Sequence, residues 1–137
     1  MLNFSKNQII IENKTLFSYF FLKRTMGYVY LIGESENDNR YKIGSTRASD
    51  VNTRLKQLQT GNSSPLVIYD YFETSHPFRL ETMLHNHFKD ANVINEWFEL
   101  NNDVRKDFKA ICEHYQGIIE ALKDNPFFNK QKNTLIR

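Results

Sequence analysis

The stretch that most constrains the fold runs from Gly27 to Thr46. Gly27-Tyr28-Val29-Tyr30-Leu31-Ile32 and Tyr41-Lys42-Ile43-Gly44-Ser45-Thr46 are both rich in β-branched and aromatic residues. The segment between them, Gly33 to Arg40, carries glycine, serine, asparagine and aspartate, the residues of turns. The pattern predicts two strands joined as a hairpin. Side chains alternate across a strand, so Tyr28, Tyr30 and Ile32 share one face while Val29 and Leu31 take the other. Tyr30 and Lys42 meet on one face if the register brings them together, and periodicity alone leaves that register open.

The rest of the chain reads as helices and strands around this hairpin. Ser49 or Asp50 caps a helix that runs to about Thr60, where Gly61-Asn62 ends it. Val51, Leu55 and Leu58 give that helix an apolar stripe, and Arg54 falls just off its edge. Leu66 to Phe72 is a third strand. A helix from Pro77 to about Lys89 follows, with Leu80, Met83, Leu84, His87 and Phe88 as its buried face and Glu81 at the border. Glu96 to Leu100 reads as a short closing strand with Trp97 as its anchor. From Asn102 a long helix keeps Val104, Phe108, Ile111, Cys112, Tyr115, Ile118, Ile119 and Leu122 on one face until Pro126. The expected fold class is α+β: a small, mainly antiparallel three-stranded sheet flanked by helices.

Composition narrows the function classes without choosing among them. A chain of 137 residues with 40% apolar and 25% charged residues suits one globular domain. A formal net charge of +2 does not identify a partner. The apolar run Leu16 to Leu22 falls far short of the ~20 residues that span a bilayer, and it lacks the features of a secretory signal. Membrane partners are therefore not expected. The single cysteine, Cys112, sits in a helix stripe and is expected to be a small buried hydrophobe. His85 and His87 stand two apart on a helix and point about 200° away from each other, so they do not share a metal.

The ordered pieces Val29-Tyr30-Leu31-Ile32, Lys42-Ile43-Gly44, Arg54-Leu55-Lys56-Gln57-Leu58-Gln59, Glu81-Thr82-Met83-Leu84-His85 and Glu96-Trp97-Phe98 resemble the GIY-YIG endonuclease superfamily. The likeness is to its phage- and virus-type branch, often labelled a putative DNA-binding domain, and it covers roughly Gly27 to Leu100. It implies a GIY-YIG-like catalytic domain over 27–100. Before it stands an accessory N-terminal extension, 1–26, unless Met26 is the true start; after it come a C-terminal helix packed on the domain, 101–125, and a polar tail, 126–137.

The same resemblance implies hydrolysis of phosphodiester bonds in DNA, with RNA as the alternative substrate, by a tyrosine-assisted attack of water. By position, Glu81 would hold one Mg²⁺ or Mn²⁺ ion, Tyr30 would help deprotonate the water, and Arg54 would bind the scissile phosphate through its planar fork. A neighbouring cation would lower the phenol of Tyr30 towards phenolate. Lys42 stands where the superfamily name puts a second tyrosine and would tune Tyr30 or orient water. Tyr28, Tyr41, His85 and Asn95 are candidate supporting residues, Asn92 or Asn95 matching a late family asparagine only loosely. Tyr30, Lys42, Arg54 and Glu81 are expected to converge on one concave surface. The competing expectation is a nucleic-acid-binding module on the same fold without catalysis. An intracellular location, in the cytoplasm or a host cell, and a protein partner for targeting complete the reading.

Overall fold

The computed structural model describes Leu16, residues 26–37 and residues 39–127. The expected extension over 1–26 and the end of the expected tail lie outside the described residues. The hairpin is present. Strand β1, Gly27–Glu34, runs antiparallel to β2, Arg40–Thr46, with Tyr30 opposite Gly44 and Ile32 opposite Lys42. This register puts Tyr30, Ile32 and Lys42 on one face of the sheet. Val29, Leu31, Tyr41, Ile43 and Ser45 occupy the other.

Helix α1, Val51–Thr60, is capped by the Asp50 side chain, which accepts from the Thr53 N–H at 2.8 Å. It packs Val51, Leu55 and Leu58 on the face that carries Tyr30 and Ile32. Strand β3, Leu66–Thr74, then pairs antiparallel with β1 on the side away from β2. Helix α2, Pro77–His87, and helix α3, Val104–Leu122, cover the opposite face. There Leu80, Leu84, Phe108, Cys112 and Ile119 close the main core on Val29, Leu31, Tyr41 and Ile43. Both helices follow the 3.6-residue stripe expected of a core-facing helix. His87 departs from the expected buried face: it is exposed, and its Nδ1 lies 2.7 Å from the Tyr115 hydroxyl.

The three-stranded expectation is corrected to a five-stranded antiparallel sheet, in the order β3-β1-β2-β5-β4. Beyond the first three strands the sheet holds β5, Trp97–Glu99, which is the short closing strand expected over Glu96 to Leu100, and β4, Asn92–Ile94, which was not expected; each has three residues. All of β4 is exposed, so it shows no alternation of apolar and polar residues and its sequence carries no strand signal. Strand β5 pairs with Arg40, Tyr41 and Lys42 only. The outer edge of β2 from Ile43 onward therefore has no strand beside it among the described residues. Instead the Ile43 N–H donates to the carbonyl of Glu96 at 3.0 Å, and the Ile43 carbonyl lies 2.7 Å from Nε2 of His85. No described helix is long and apolar enough to cross a membrane.

Candidate active site

The uncovered edge of β2 is where the candidate groups meet. Tyr30 is 1% exposed, and its ring lies across the neighbouring strand directly over Gly44. A Cβ at position 44 would stand 2.6 Å from Cζ of Tyr30, with the hydroxyl closer still. Only glycine leaves room for that path. Arg54, on α1, stands beside the phenol on the same side of the sheet, near enough for its charge to bear on the hydroxyl. Its Nη1 donates to Oε1 of Gln57 at 3.2 Å, while its Nε is buried and has no partner. A buried N–H left without an acceptor costs about 1–3 kcal/mol, so this donor is a place where an anion would be welcome.

Glu81 arrives from the other side. It projects from α2, and its Oε2 accepts from the Ser45 hydroxyl at 2.9 Å. Nε2 of His85, one turn further on, lies 3.8 Å from Oε1. Glu96, in the turn between β4 and β5, stands near enough to Glu81 to raise its carboxyl, and pairs with Lys42, Nζ to Oε2, at 2.7 Å. The expected single concave face is thus replaced by a surface that wraps around a strand edge. Tyr30, Lys42 and Arg54 come from one face of the sheet and Glu81 from the other, and the gap beyond β5 lets them approach.

The electrostatics follow from this crowding. Burial pushes the Glu81 carboxyl above the usual range; the Ser45 hydrogen bond and the His85 charge oppose the rise, and Glu96 adds to it. A like charge so close penalises ionisation of Glu81, and a cation placed beside it would relieve that penalty. The phenol of Tyr30 is likewise raised, first by burial. Arg54 lowers it by hydrogen bond and charge, and Glu96 and Glu81 raise it further. The expected cation-driven drop is therefore outweighed by desolvation. Lys42 takes the acidic partner, Glu96, and lies 5.9 Å from the centre of the Trp97 ring.

The supporting candidates separate. His85 lines the site through Glu81 and bonds the β2 edge. Asn95 stands in the same turn as Glu96 with φ of 50°, a left-handed conformation that asparagine tolerates well. Its carbonyl accepts from the Asn92 side chain at 2.8 Å, which also donates to the Trp97 carbonyl at 3.2 Å, so Asn92 braces the turn that presents Glu96. Tyr28 lies on the Tyr30 face, edge-on to Tyr71. Tyr41 is on the opposite face in the main core, donating to Oδ1 of Asn102 at 2.6 Å and accepting from Nε of Arg105 at 2.8 Å. The sequence reading missed Ser45 and Glu96 as site residues. Glu96 stood in the sequence only as part of the Glu96-Trp97-Phe98 piece, with no role attached to its carboxylate.

Comparison with known proteins revises the family. The T5orf172 domain matches over residues 27–113, more than half of the chain and on into α3. The GIY-YIG assignment is thereby corrected: the shared pieces are those of a T5orf172 domain, and Lys42 stands where the GIY-YIG name requires tyrosine. T5orf172 domains are associated with nuclease and DNA-binding function. The chain is also 33% identical over 104 residues to an uncharacterized protein, 460R, of Invertebrate iridescent virus 6. That alignment takes in 73% of the chain but 46% of the viral protein, so the chain spans less than half of that relative. No solved structure matches.

Proposed function

The chain belongs to the T5orf172 domain family, and on that premise we propose that it is a divalent-cation-dependent endonuclease that hydrolyses phosphodiester bonds in DNA. The observation that carries the reading is the buried, unpartnered Nε of Arg54 beside Tyr30 and the Glu81–Glu96 pair. An anion-seeking donor next to two carboxylates suits a phosphodiester accompanied by a hard cation. The donor set fits Mg²⁺ or Mn²⁺, which take oxygen ligands: Glu81, with Glu96 beside it and the Ser45 hydroxyl on its second oxygen. When bound, the cation supplies charge stabilisation for the leaving oxygen.

The remaining chemistry belongs to the side chains. Arg54 presents Nε and a terminal nitrogen to two phosphate oxygens and fixes the phosphorus for in-line attack. Tyr30 must shed its own proton before it can take one from water. The Arg54 hydrogen bond and charge favour that phenolate, and burial opposes it. The same opposition supports a second reading, in which the domain holds DNA without cutting it.

Nicking of supercoiled plasmid in Mg²⁺ or Mn²⁺ decides between them. Glu81→Gln is expected to lower the rate by roughly 10²–10³-fold, as removal of a charge-stabilising group does. DNA affinity should hold or rise slightly, because a negative charge near phosphate is gone. Wild-type nicking that continues in a chelator, or in Glu81→Gln, refutes the endonuclease mechanism. Binding without any nicking selects the second reading.

A further inference from the structure

A cavity of about 460 Å³ opens on the α1 face of the sheet, beside the site rather than within it. Its size lies within the ~300–1,000 Å³ of small-molecule pockets. Leu58, Ile94 and Trp97 supply apolar and aromatic wall, and Gln57, Asn62 and Lys42 supply hydrogen-bonding groups. Ile94 is 57% exposed, a large apolar side chain at the rim beside Trp97, its pairing partner on β5.

Two of these residues tie the cavity to the proposed phosphate site. Oε1 of Gln57 is the acceptor for Arg54, which leaves the Gln57 amide nitrogen as a donor. Lys42 holds Glu96, whose charge in turn bears on Glu81. A nucleotide whose phosphate sits on Arg54 thus has an adjoining space with an aromatic wall and amide edges. Flat heteroaromatic rings with polar rims match that combination of surfaces.

We propose that this cavity receives an unstacked nucleobase adjacent to the phosphate held by Arg54. The assignment rests on the phosphodiester reading of the site and adds its substrate preference: DNA whose bases are unpaired, frayed or turned out of the helix. A fully stacked duplex base cannot enter a side pocket, so single strands and junctions are favoured over intact duplex.

Trp97 is the only tryptophan of the chain, so its emission reports on the cavity directly. The test titrates the protein, in buffer free of divalent cations, with a short oligothymidylate and with an abasic deoxyribose-phosphate strand of equal length. The oligothymidylate is expected to quench Trp97 and to bind roughly 5- to 150-fold more tightly, the range of one base–aromatic contact. Gly61→Leu fills the cavity: Gly61 lines it, has an ordinary backbone conformation, and offers a Cβ only a 3.9 Å contact with the Leu58 carbonyl. This variant should melt like the wild type, bind the abasic strand unchanged and lose the preference for bases.

Equal affinity for the two strands overturns the nucleobase assignment. So does a preference for bases that survives Gly61→Leu. If plasmid nicking persists in either case, the phosphodiester reading stands alone. If neither strand binds, both readings fall together.

Discussion

Gly44→Ala tests the packing on which the candidate site depends. The Tyr30 ring lies over Gly44, and the new Cβ would stand 2.6 Å from its Cζ, where an ordinary contact is roughly 3.5–4.0 Å. The ring cannot step aside, because it is 1% exposed and packed among Ile32, Val51 and Leu66. Overpacking of this kind costs about 1–3 kcal/mol. Replacing glycine by alanine also removes chain freedom from the unfolded state, which is worth ~0.4–1 kcal/mol in the other direction. Steric crowding wins, and the net loss is about 1–2 kcal/mol, or roughly 3–7 °C in melting temperature for a chain of this size. The assay is a double-mutant cycle by thermal melting. Tyr30→Ala removes the obstructing ring, so Gly44→Ala in that background should cost nothing or stabilise slightly. In the otherwise wild-type protein Gly44→Ala should also depress nicking, since it displaces the phenol from Arg54. A Gly44→Ala protein that melts within 0.5 kcal/mol of wild type, or costs the same with and without the Tyr30 ring, refutes the argument that glycine is there for the tyrosine.

Tyr41→Phe removes the hydroxyl that bridges Asn102 and Arg105 and should cost about 1–3 kcal/mol by denaturant titration, with nicking per folded molecule unchanged; a selective loss of cleavage would place Tyr41 in the chemistry. The Cys112 thiol is pushed up to about 12, chiefly by burial and further by Asp70 and Glu113, so the native protein should resist a thiol reagent at pH 8 and react promptly in urea. Glu81 carries a raised carboxyl, so the native state holds its proton more tightly than the unfolded chain. Its contribution favours folding below the unfolded value near 4.3 and is lost as pH rises through the native value. In chelator, Glu81→Gln should flatten that fall in melting temperature, and the same slope in both proteins would refute the assignment.

The elements with strong periodicity were legible in the sequence, and those defined by distant pairing were not. Tyr28 to Ile32 alternates, Val104 to Leu122 repeats every third or fourth residue, and both became the elements expected. Strand β5 falls within the closing strand expected over Glu96 to Leu100, but β4 did not announce itself, because three residues cannot show a period and it buries none of its side chains. Their place is set by the bonds of Arg40, Tyr41 and Lys42 to β5, which lies beyond α1, β3 and α2 in sequence. For the same reason Glu96, quoted only within the Glu96-Trp97-Phe98 piece, was given no site role: its importance lies in what it stands beside, Lys42 and Glu81, and neither is a sequence neighbour.

The site itself shows why correct residue types did not yield its shape. Alternation correctly separates Tyr30 from the face that α2 covers, and on that logic Tyr30 and Glu81 belong to opposite sides of the sheet. Two local features overcome the separation. Strand β5 stops pairing at Lys42, so the edge of β2 stays open for Glu81, Ser45 and His85 to gather on one side. Gly44 has no side chain, so the Tyr30 ring can extend over β2 towards that edge from the other side. An edge reached from both faces offers a phosphate access to cations on one flank and carboxylates on the other, while each group stays anchored in its own half of the core. Covering that edge by extending β5 with further β-pairing residues would therefore abolish the site while leaving every candidate side chain in place.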